Sequence, residues 1–260
     1  LGSDDLDPHK AMTSHNLTDD TKDLILAVET SSRTGSAAIA DARGVLAFRP
    51  FSGQLRHNSE LLPTVRAMLR QLAARPDQIR QVYIASGPGS FTGIRMAVTM
   101  AKTMHLALGA RIVAVDTLDV IAANVPVDQL EDRLLVPVLD AKMNRFFAAG
   151  YLSAPPGKTG PQPIPGLAKV IPDTVATAQA IRQFIEDIGR PACLVGDGLL
   201  YYRHLFEGPR MEVMDPEYWA PSAINVFKLG RLKAAAGLYE DPLRLVPNYL
   251  LPPQVTVSSK

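Results

Sequence analysis

Apolar and polar positions along the chain follow two periods from Leu24 onward, and the switches between them mark the elements. "LILAVET" is a buried-strand run, "SSRTG" a turn, "SAAIAD" a second strand, "ARG" another turn and "VLAFRP" a third strand, which predicts an antiparallel meander. The period then changes. In "NSELLPTVRAMLRQL", Leu61, Leu62, Val65, Met68, Leu69 and Leu72 recur at helical spacing, with Asn58 or Ser59 placed as cap. "QVYIAS" is a short strand, and it leads through "GPGSFTG" into a second helix that Gly109 closes, where a left-handed cap belongs. On this helix Met96, Ala97, Val98, Met100, Ala101, Met104, Ala107 and Leu108 leave a narrow polar stripe of Arg95, Thr99, Lys102 and Thr103, so the pattern predicts cover on more than one side. "RIVAVD" is the next strand and "TLDVIAANV" a further helix.

After Pro126 the theme restarts. "RLLVPVLDAK" and "NRFFAAGYLS" are apolar runs joined by a short turn, and aligning "LAVETSS" with "PVLDAKM" sets Glu29 opposite Asp140, each at the end of a first strand. The repeat predicts an internal duplication. "SAPPGKTGPQPIPG", residues 153–166, reads as an exposed Pro/Gly-rich connection. Beyond it come a helix ("TVATAQAIRQFIEDIG"), a strand ("ACLVGDG"), a helix with Ser222 as cap ("SAINVFKLGRLKAAAGLYE") and a terminal extended segment ("LRLVPNYLLPP"). Strands alternating with helices after each meander predict an α/β protein of two lobes, residues 24–126 and 127–260, with mixed sheets flanked by helices. Residues 1–23 are polar and acidic, and read as a disordered tail, part of it a cloning remnant before Met12.

Composition narrows the picture. With 260 residues, 47% of them hydrophobic and 20% charged, the chain can bury a full core. Lys plus Arg number 27 against 26 Asp plus Glu, which excludes a general electrostatic pull toward nucleic acid; any RNA is expected to be engaged weakly or through another protein. Cys193, the single cysteine, reads as a small buried hydrophobe and fits a reducing compartment, so a cytoplasmic location is expected. The most apolar stretch, around residues 106–127, is broken by Arg111, Asp116 and Asp119, and no membrane association is expected.

The candidate chemistry is sparse. "GPGSFTG" fails the standard phosphate templates: no Gly-Lys-Ser/Thr triplet follows, and its glycines are spaced G-x-G-x-x-x-G. A nucleophile elbow would need glycine where Pro88 stands. Two readings remain. Gly89, Ser90, Thr92 and Gly93 form an anion site at a helix N-terminus, or the glycines shape a turn that Ser90 or Thr92 caps. Glu29 and Asp140 stand where phosphotransferases keep a magnesium-linked acid, but "AKMN" after Asp140 has no glycine, so Lys142 and Met143 would fill the space a phosphate needs. Gly196 and Gly198 in "VGDG" can pass backbone beside an adenine or simply end a strand. The five histidines include no pair at metal-binding helical spacing, and no nucleophile, base and acid can be assembled, so neither a metal nor a catalytic residue is expected.

In order and spacing, "ILAVETSS", "GSAAIAD", "RHNSELLPTV", "ASGPGSFTGIRMAV", "VDTLDVIA", "VLDAKMNRFFAAGY" and "VGDGL" resemble the TsaB (YeaZ) family of bacterial tRNA threonylcarbamoyladenosine synthesis, over residues 24–252. The resemblance implies an actin-like, Hsp70-like (ASKHA) fold of two duplicated ribonuclease-H-like lobes. It also implies a non-catalytic dimerisation partner and activator of TsaD, which modifies adenosine 37 of tRNAs reading codons that start with A. TsaE docks on the pair, tRNA is engaged mainly through the complex, and the chain pairs with itself when TsaD is absent. The implied contact face lies on the two helices Asn58–Leu72 and Thr92–Leu108, at His57, Glu60, Leu61, Val65, Met68, Thr92, Arg95, Met96, Thr99, Met100, Lys102 and Thr103. Methionines suit an interface that accepts two partners. No tightly bound cofactor is expected, ATP or ADP being placed, if anywhere, at the complex interface. The family usually has Asp where Glu29 stands and often Gly where Asn144 stands, and both departures weaken an independent nucleotide site. The alternative is an active ATP-dependent phosphotransferase of the same superfold, drawing on Glu29, Asp140 and "VGDG".

Overall fold

β1 (Leu24–Glu29), β2 (Ser36–Ala40) and β3 (Val45–Pro50) form the expected meander, followed by α1 (His57–Gln71), β4 (Ile79–Ala85), α2 (Phe91–Leu108), β5 (Arg111–Val115) and α3 (Thr117–Ala122). The second half runs β6 (Leu134–Lys142), β7 (Arg145–Ser153), β8 (Leu167–Thr177), α4 (Ala178–Ile188), β9 (Ala192–Val195), α5 (Leu199–Tyr202), β10 (Met211–Val213) and α6 (Ala223–Ala235). This computed structural model describes residues 23–52, 57–154 and 164–251, without the side chains of His57 and Asn58. The tail before Asp23 and most of the Pro/Gly-rich connection lie outside the described residues.

The duplication is in the topology. The first sheet has the order β3-β2-β1-β4-β5 and the second β8-β7-β6-β9-β10, the same order with the same senses: antiparallel across the meander, parallel beyond it. These are two actin-like lobes of ribonuclease-H-like topology. β1 is apolar at every position but the last because both its faces are covered. Leu24, Leu26 and Val28 face Leu61, Val65 and Met68 of α1 and Ala97, Val98 and Ala101 of α2. Ile25 and Ala27 face the layer between the sheets, where α6 supplies Val226, Phe227 and Leu229. α6 comes from the second half yet packs on the first sheet, while α3 from the first half packs on β6 and β7. Gly230 lets α6 approach β4, since a Cβ there would stand 2.4 Å from the Tyr83 ring. On the outer face of the second sheet, Ile181 and Ile185 of α4 cover Val136, Val138 and Phe146.

Several boundaries differ from the sequence expectation. "TVAT" belongs to β8, and α4 begins only at Ala178, with the Thr177 hydroxyl accepting from the Ala180 amide at 3.2 Å. Among the described residues β8 pairs with β7 alone; as an edge strand it tolerates Pro172 and carries little apolar signal. At its described ends the 153–166 connection is mixed: Ser153, which ends β7, and Pro165 are exposed, while Ile164 is buried and bridges to Leu167. α6 stops at Ala235, ahead of Gly237 in the left-handed region (φ 73°). The short elements α5 and β10 were not expected from the pattern. α2 buries one side only: Thr92, Arg95, Thr99 and Thr103 are exposed, and Leu106 is 81% exposed.

Candidate functional site

Both first strands end at one cleft of about 1080 Å³. Ser31, Ser32, Arg33, Gly89, Ser90 and Phe91 line it from the first half, and Asp140, Lys142, Met143, Arg145 and Asp197 from the second. The C-terminal segment Asn248–Leu251 completes its wall.

The two acids at the strand ends differ in setting. Glu29 is fully buried and does not line the cleft. One of its oxygens accepts from the Ser31 amide at 2.7 Å and from the Ser31 hydroxyl, while Oε2 is buried without a hydrogen-bond partner among the described residues. Burial raises its pKa from 4.5 to about 7, against the lowering effect of the Ser31 bonds and with a further push from Asp197. Asp140 does line the cleft, but its carboxylate accepts from the Lys142 amide at 2.8 Å and pairs with Lys142 Nζ at 2.7 Å. Met143 and Asn144 form the two-residue turn between Lys142 and Arg145, both left-handed (φ 51° and 55°), as the twist of a tight hairpin demands. Lys142 is left-handed too, at φ 68°, and its side chain and that of Met143 line the cleft. Asp197 stands between the halves: burial lifts its carboxyl, Arg33 and Lys142 pull it down and Asp140 pushes it up.

The glycines of "GPGSFTG" have a steric cause. A Cβ at Gly89 would lie 2.2 Å from the Ser31 carbonyl oxygen, and one at Gly93 would lie 1.8 Å from that of Thr30. The Ser90 amide donates to the Ser31 carbonyl at 2.7 Å, the Thr30 hydroxyl donates to the Gly93 carbonyl at 2.8 Å, and the Ser90 hydroxyl caps α2 by accepting from the Gly93 amide. The Gly87–Pro88 peptide is cis. Two of the four residues expected to hold an anion, Gly89 and Gly93, are thus required for backbone contact within the chain, and the amides of Ser90 and Gly93 are engaged there; Thr92 is exposed on the first turn of α2. The second half repeats this arrangement. Cβ atoms at Gly196 and Gly198 would lie 2.3 Å and 2.9 Å from the Val138 carbonyl oxygen, and the Gly198 amide donates to it at 3.1 Å. Close packing onto β6 therefore accounts for "VGDG" without an adenine.

The expected contact residues separate into two groups. Leu61, Val65, Met68 and Met100 are buried in the chain's own core and offer little surface. Thr92, Arg95, Thr99 and Thr103 are exposed, and Met96 and Lys102 half-buried. Glu60 accepts from the Ser52 amide and hydroxyl at 2.6 and 2.7 Å, and the His57 side chain lies outside the described residues. The structure adds residues that the sequence did not single out. Arg95 stacks on Phe91, 3.6 Å from the ring centroid, and its Nε donates to the Tyr249 hydroxyl at 2.7 Å. The Asn248 amide holds this segment to the Ser86 carbonyl at 2.8 Å, against Gly87. A separation of 154 residues between Arg95 and Tyr249 left no local signal for the contact. Among the described residues, no group of three or more His, Cys, Asp or Glu side chains could hold a metal ion, and no helix is long and apolar enough to cross a membrane.

The family model of TsaD, tRNA N6-adenosine threonylcarbamoyltransferase, matches residues 34–155. The tRNA threonylcarbamoyladenosine biosynthesis protein TsaB of Bacillus subtilis is 28% identical over 87% of this chain and 93% of its own length. TsaB of Escherichia coli is also 28% identical, over 49% of this chain and 54% of its own length. Among solved structures, YeaZ from Pseudomonas aeruginosa superposes with a TM-score of 0.68 at 20% identity, covering 87% of this chain and 99% of that one. Similarity of sequence over 87% of the chain to TsaB of Bacillus subtilis, together with the fold shared with YeaZ, supports an assignment to the TsaB (YeaZ) family.

Proposed function

We propose that this chain is the non-catalytic scaffold and activator of a TsaD threonylcarbamoyltransferase, needed to form threonylcarbamoyladenosine at adenosine 37 of tRNAs reading codons that start with A. TsaD is its main partner and TsaE joins the pair; a second copy of the chain occupies the same face when TsaD is absent. The complex is cytoplasmic, tRNA is held mainly through it, and ATP or ADP enters at the complex interface. The docking face consists of the exposed positions of α2, namely Thr92, Arg95, Thr99 and Thr103 with Met96 and Lys102, together with the outer side of α1.

The observation that carries this reading is the state of the two strand-end acids. Glu29 is sealed under the cleft wall and Asp140 is tied to the amide and ammonium of Lys142, so neither is presented to a phosphate-bound cation. The alternative, an ATP-dependent phosphotransferase, draws on the size of the cleft and the presence of Asp140 and Asp197 in it. Reconstitution separates the two. With the cognate TsaD, TsaE, threonylcarbamoyl-adenylate and tRNA, threonylcarbamoyladenosine should form only when this chain is present, as read by mass spectrometry of nucleosides. Asp140→Ala should leave that yield within about twofold, because its carboxylate meets an internal lysine. ATP turnover by the isolated chain, abolished by Asp140→Ala, would establish the phosphotransferase instead.

A further inference from the structure

α1 and α2 carry a one-sided charge. Arg66, Arg70, Arg95 and Lys102 stand against one carboxylate, Glu60, and that one is held by Ser52; α2 has no acidic residue at all. Arg66, Arg70 and Arg95 are exposed, Lys102 is half-buried, and among the described residues none of the four meets a carboxylate. The same two helices expose apolar surface, with Leu62 60% and Leu106 81% exposed.

Arg95 is the most constrained of the four. Phe91 supports its guanidinium from below and the Tyr249 hydroxyl takes its Nε proton, while among the described residues its Nη groups donate to nothing. A planar fork fixed on one edge and open on the other matches a carboxylate, and its ordering cost is met before a partner arrives. A two-fold pair of this chain through the same face would set cations against cations, because an isologous interface brings a patch against itself.

We infer that the α1/α2 face is built for a partner presenting carboxylates among apolar residues, with Arg95 as the anchoring contact, and that a second copy of this chain is its weaker occupant. The inference rests on the docking assignment above and adds to it the chemistry of the partner and an order of preference.

The two pairings have opposite salt responses. Titration calorimetry of the full chain with its cognate TsaD, and sedimentation of the chain alone, should be run from about 50 to about 500 mM NaCl, where the screening length falls from about 14 to about 4 Å. The TsaD complex should weaken about tenfold over that range, while self-association stays level or tightens. Arg95→Glu should weaken TsaD binding by about tenfold or more, and Arg95→Lys by less, since charge remains and the fork is lost. The double variant Arg66→Glu, Arg70→Glu lies on the other helix and gives an independent reading if Arg95→Glu lowers the melting temperature. TsaD binding that ignores salt and all these substitutions overturns the inference alone, as does self-association tighter than TsaD binding at low salt. Failure to bind TsaD at any salt overturns the docking assignment itself.

Discussion

Replacing Glu29 by Gln should make the protein more stable at pH 8 and change little at pH 5. The Glu29 carboxyl is wholly buried, with Ser31 bonded to one oxygen and no partner on the other, and burial raises its pKa from 4.5 to about 7. Between these two values the folded chain holds a proton that the unfolded chain has released. The stability this group contributes is therefore greatest below about pH 4.5, declines as pH rises, and is gone above about 7. At about 1.4 kcal/mol for each tenfold change in the ionisation equilibrium, the loss between pH 5 and pH 8 is roughly 2.5 kcal/mol. Glutamine has the shape of the protonated acid, accepts from Ser31 in the same way, and does not titrate. Asp173 and Asp197, also raised by burial, are present in both proteins and largely cancel in the difference. The assay is urea unfolding followed by the emission of the single tryptophan, Trp219, whose indole donates to the Met214 carbonyl at 3.0 Å. Glu29→Gln minus native stability should rise by about 2 to 3 kcal/mol from pH 5 to pH 8. Parallel profiles that stay within about 0.5 kcal/mol of each other would refute the reasoning.

Gly93→Ala should cost about 2 to 4 kcal/mol in the same unfolding assay, because its Cβ would stand 1.8 Å from the Thr30 carbonyl oxygen and the bond from the Thr30 hydroxyl would be disturbed. Gly109→Ala is the control: nothing lies within 4 Å of its Cβ position, so only the left-handed backbone (φ 69°) is penalised, by about 1 kcal/mol; equal losses at the two sites would remove the steric argument. Asp119→Ala should cost about 3 to 5 kcal/mol, since buried Asp119 accepts from the Tyr151 hydroxyl at 2.6 Å and pairs at 2.7 Å with Lys169, which also meets Asp173. Adding Lys169→Met should recover part of that loss, and thermal unfolding of the pair tests it; a strictly additive double variant would show that the network is not coupled.

The parts of this fold that are legible in the sequence are those with cover on a defined side. β1 reads as a strand because both faces are buried, and α1 because Leu61, Val65, Met68 and Leu69 return to one face every three or four residues. β8 escapes the same reading. It lies at a sheet edge, most of its positions are half-exposed, its buried side chain is Leu167 at the very start, and Ile171 fills the space over Gly150 rather than repeating a period. The strand-end position shared by Glu29 and Asp140 follows from aligning two hairpins, but their different fates do not, because Lys142, itself left-handed, turns its amide and ammonium back onto Asp140. The Phe91, Arg95 and Tyr249 stack is illegible for a different reason: it joins one end of the chain to its middle, and nothing local marks Tyr249.

The duplication also separates what a glycine-rich turn does for folding from what it does for function. In both halves the turn after the fourth strand of the meander-plus-crossover unit runs against the end of the first strand, and in both the glycines are those whose Cβ would strike a carbonyl oxygen there: Ser31 and Thr30 in one half, Val138 in the other. A feature present on both sides of the duplication answers a need of the fold, so glycines in "GPGSFTG" are no evidence of a ligand. The halves part company immediately afterwards. The first turn leads into the 18-residue helix α2, with a polar stripe, an exposed leucine and an arginine braced by two rings; the second leads into the four-residue helix α5. Since the scaffold is the same up to that point, the asymmetry of the molecule, and with it the best place to look for its partner, begins at Phe91.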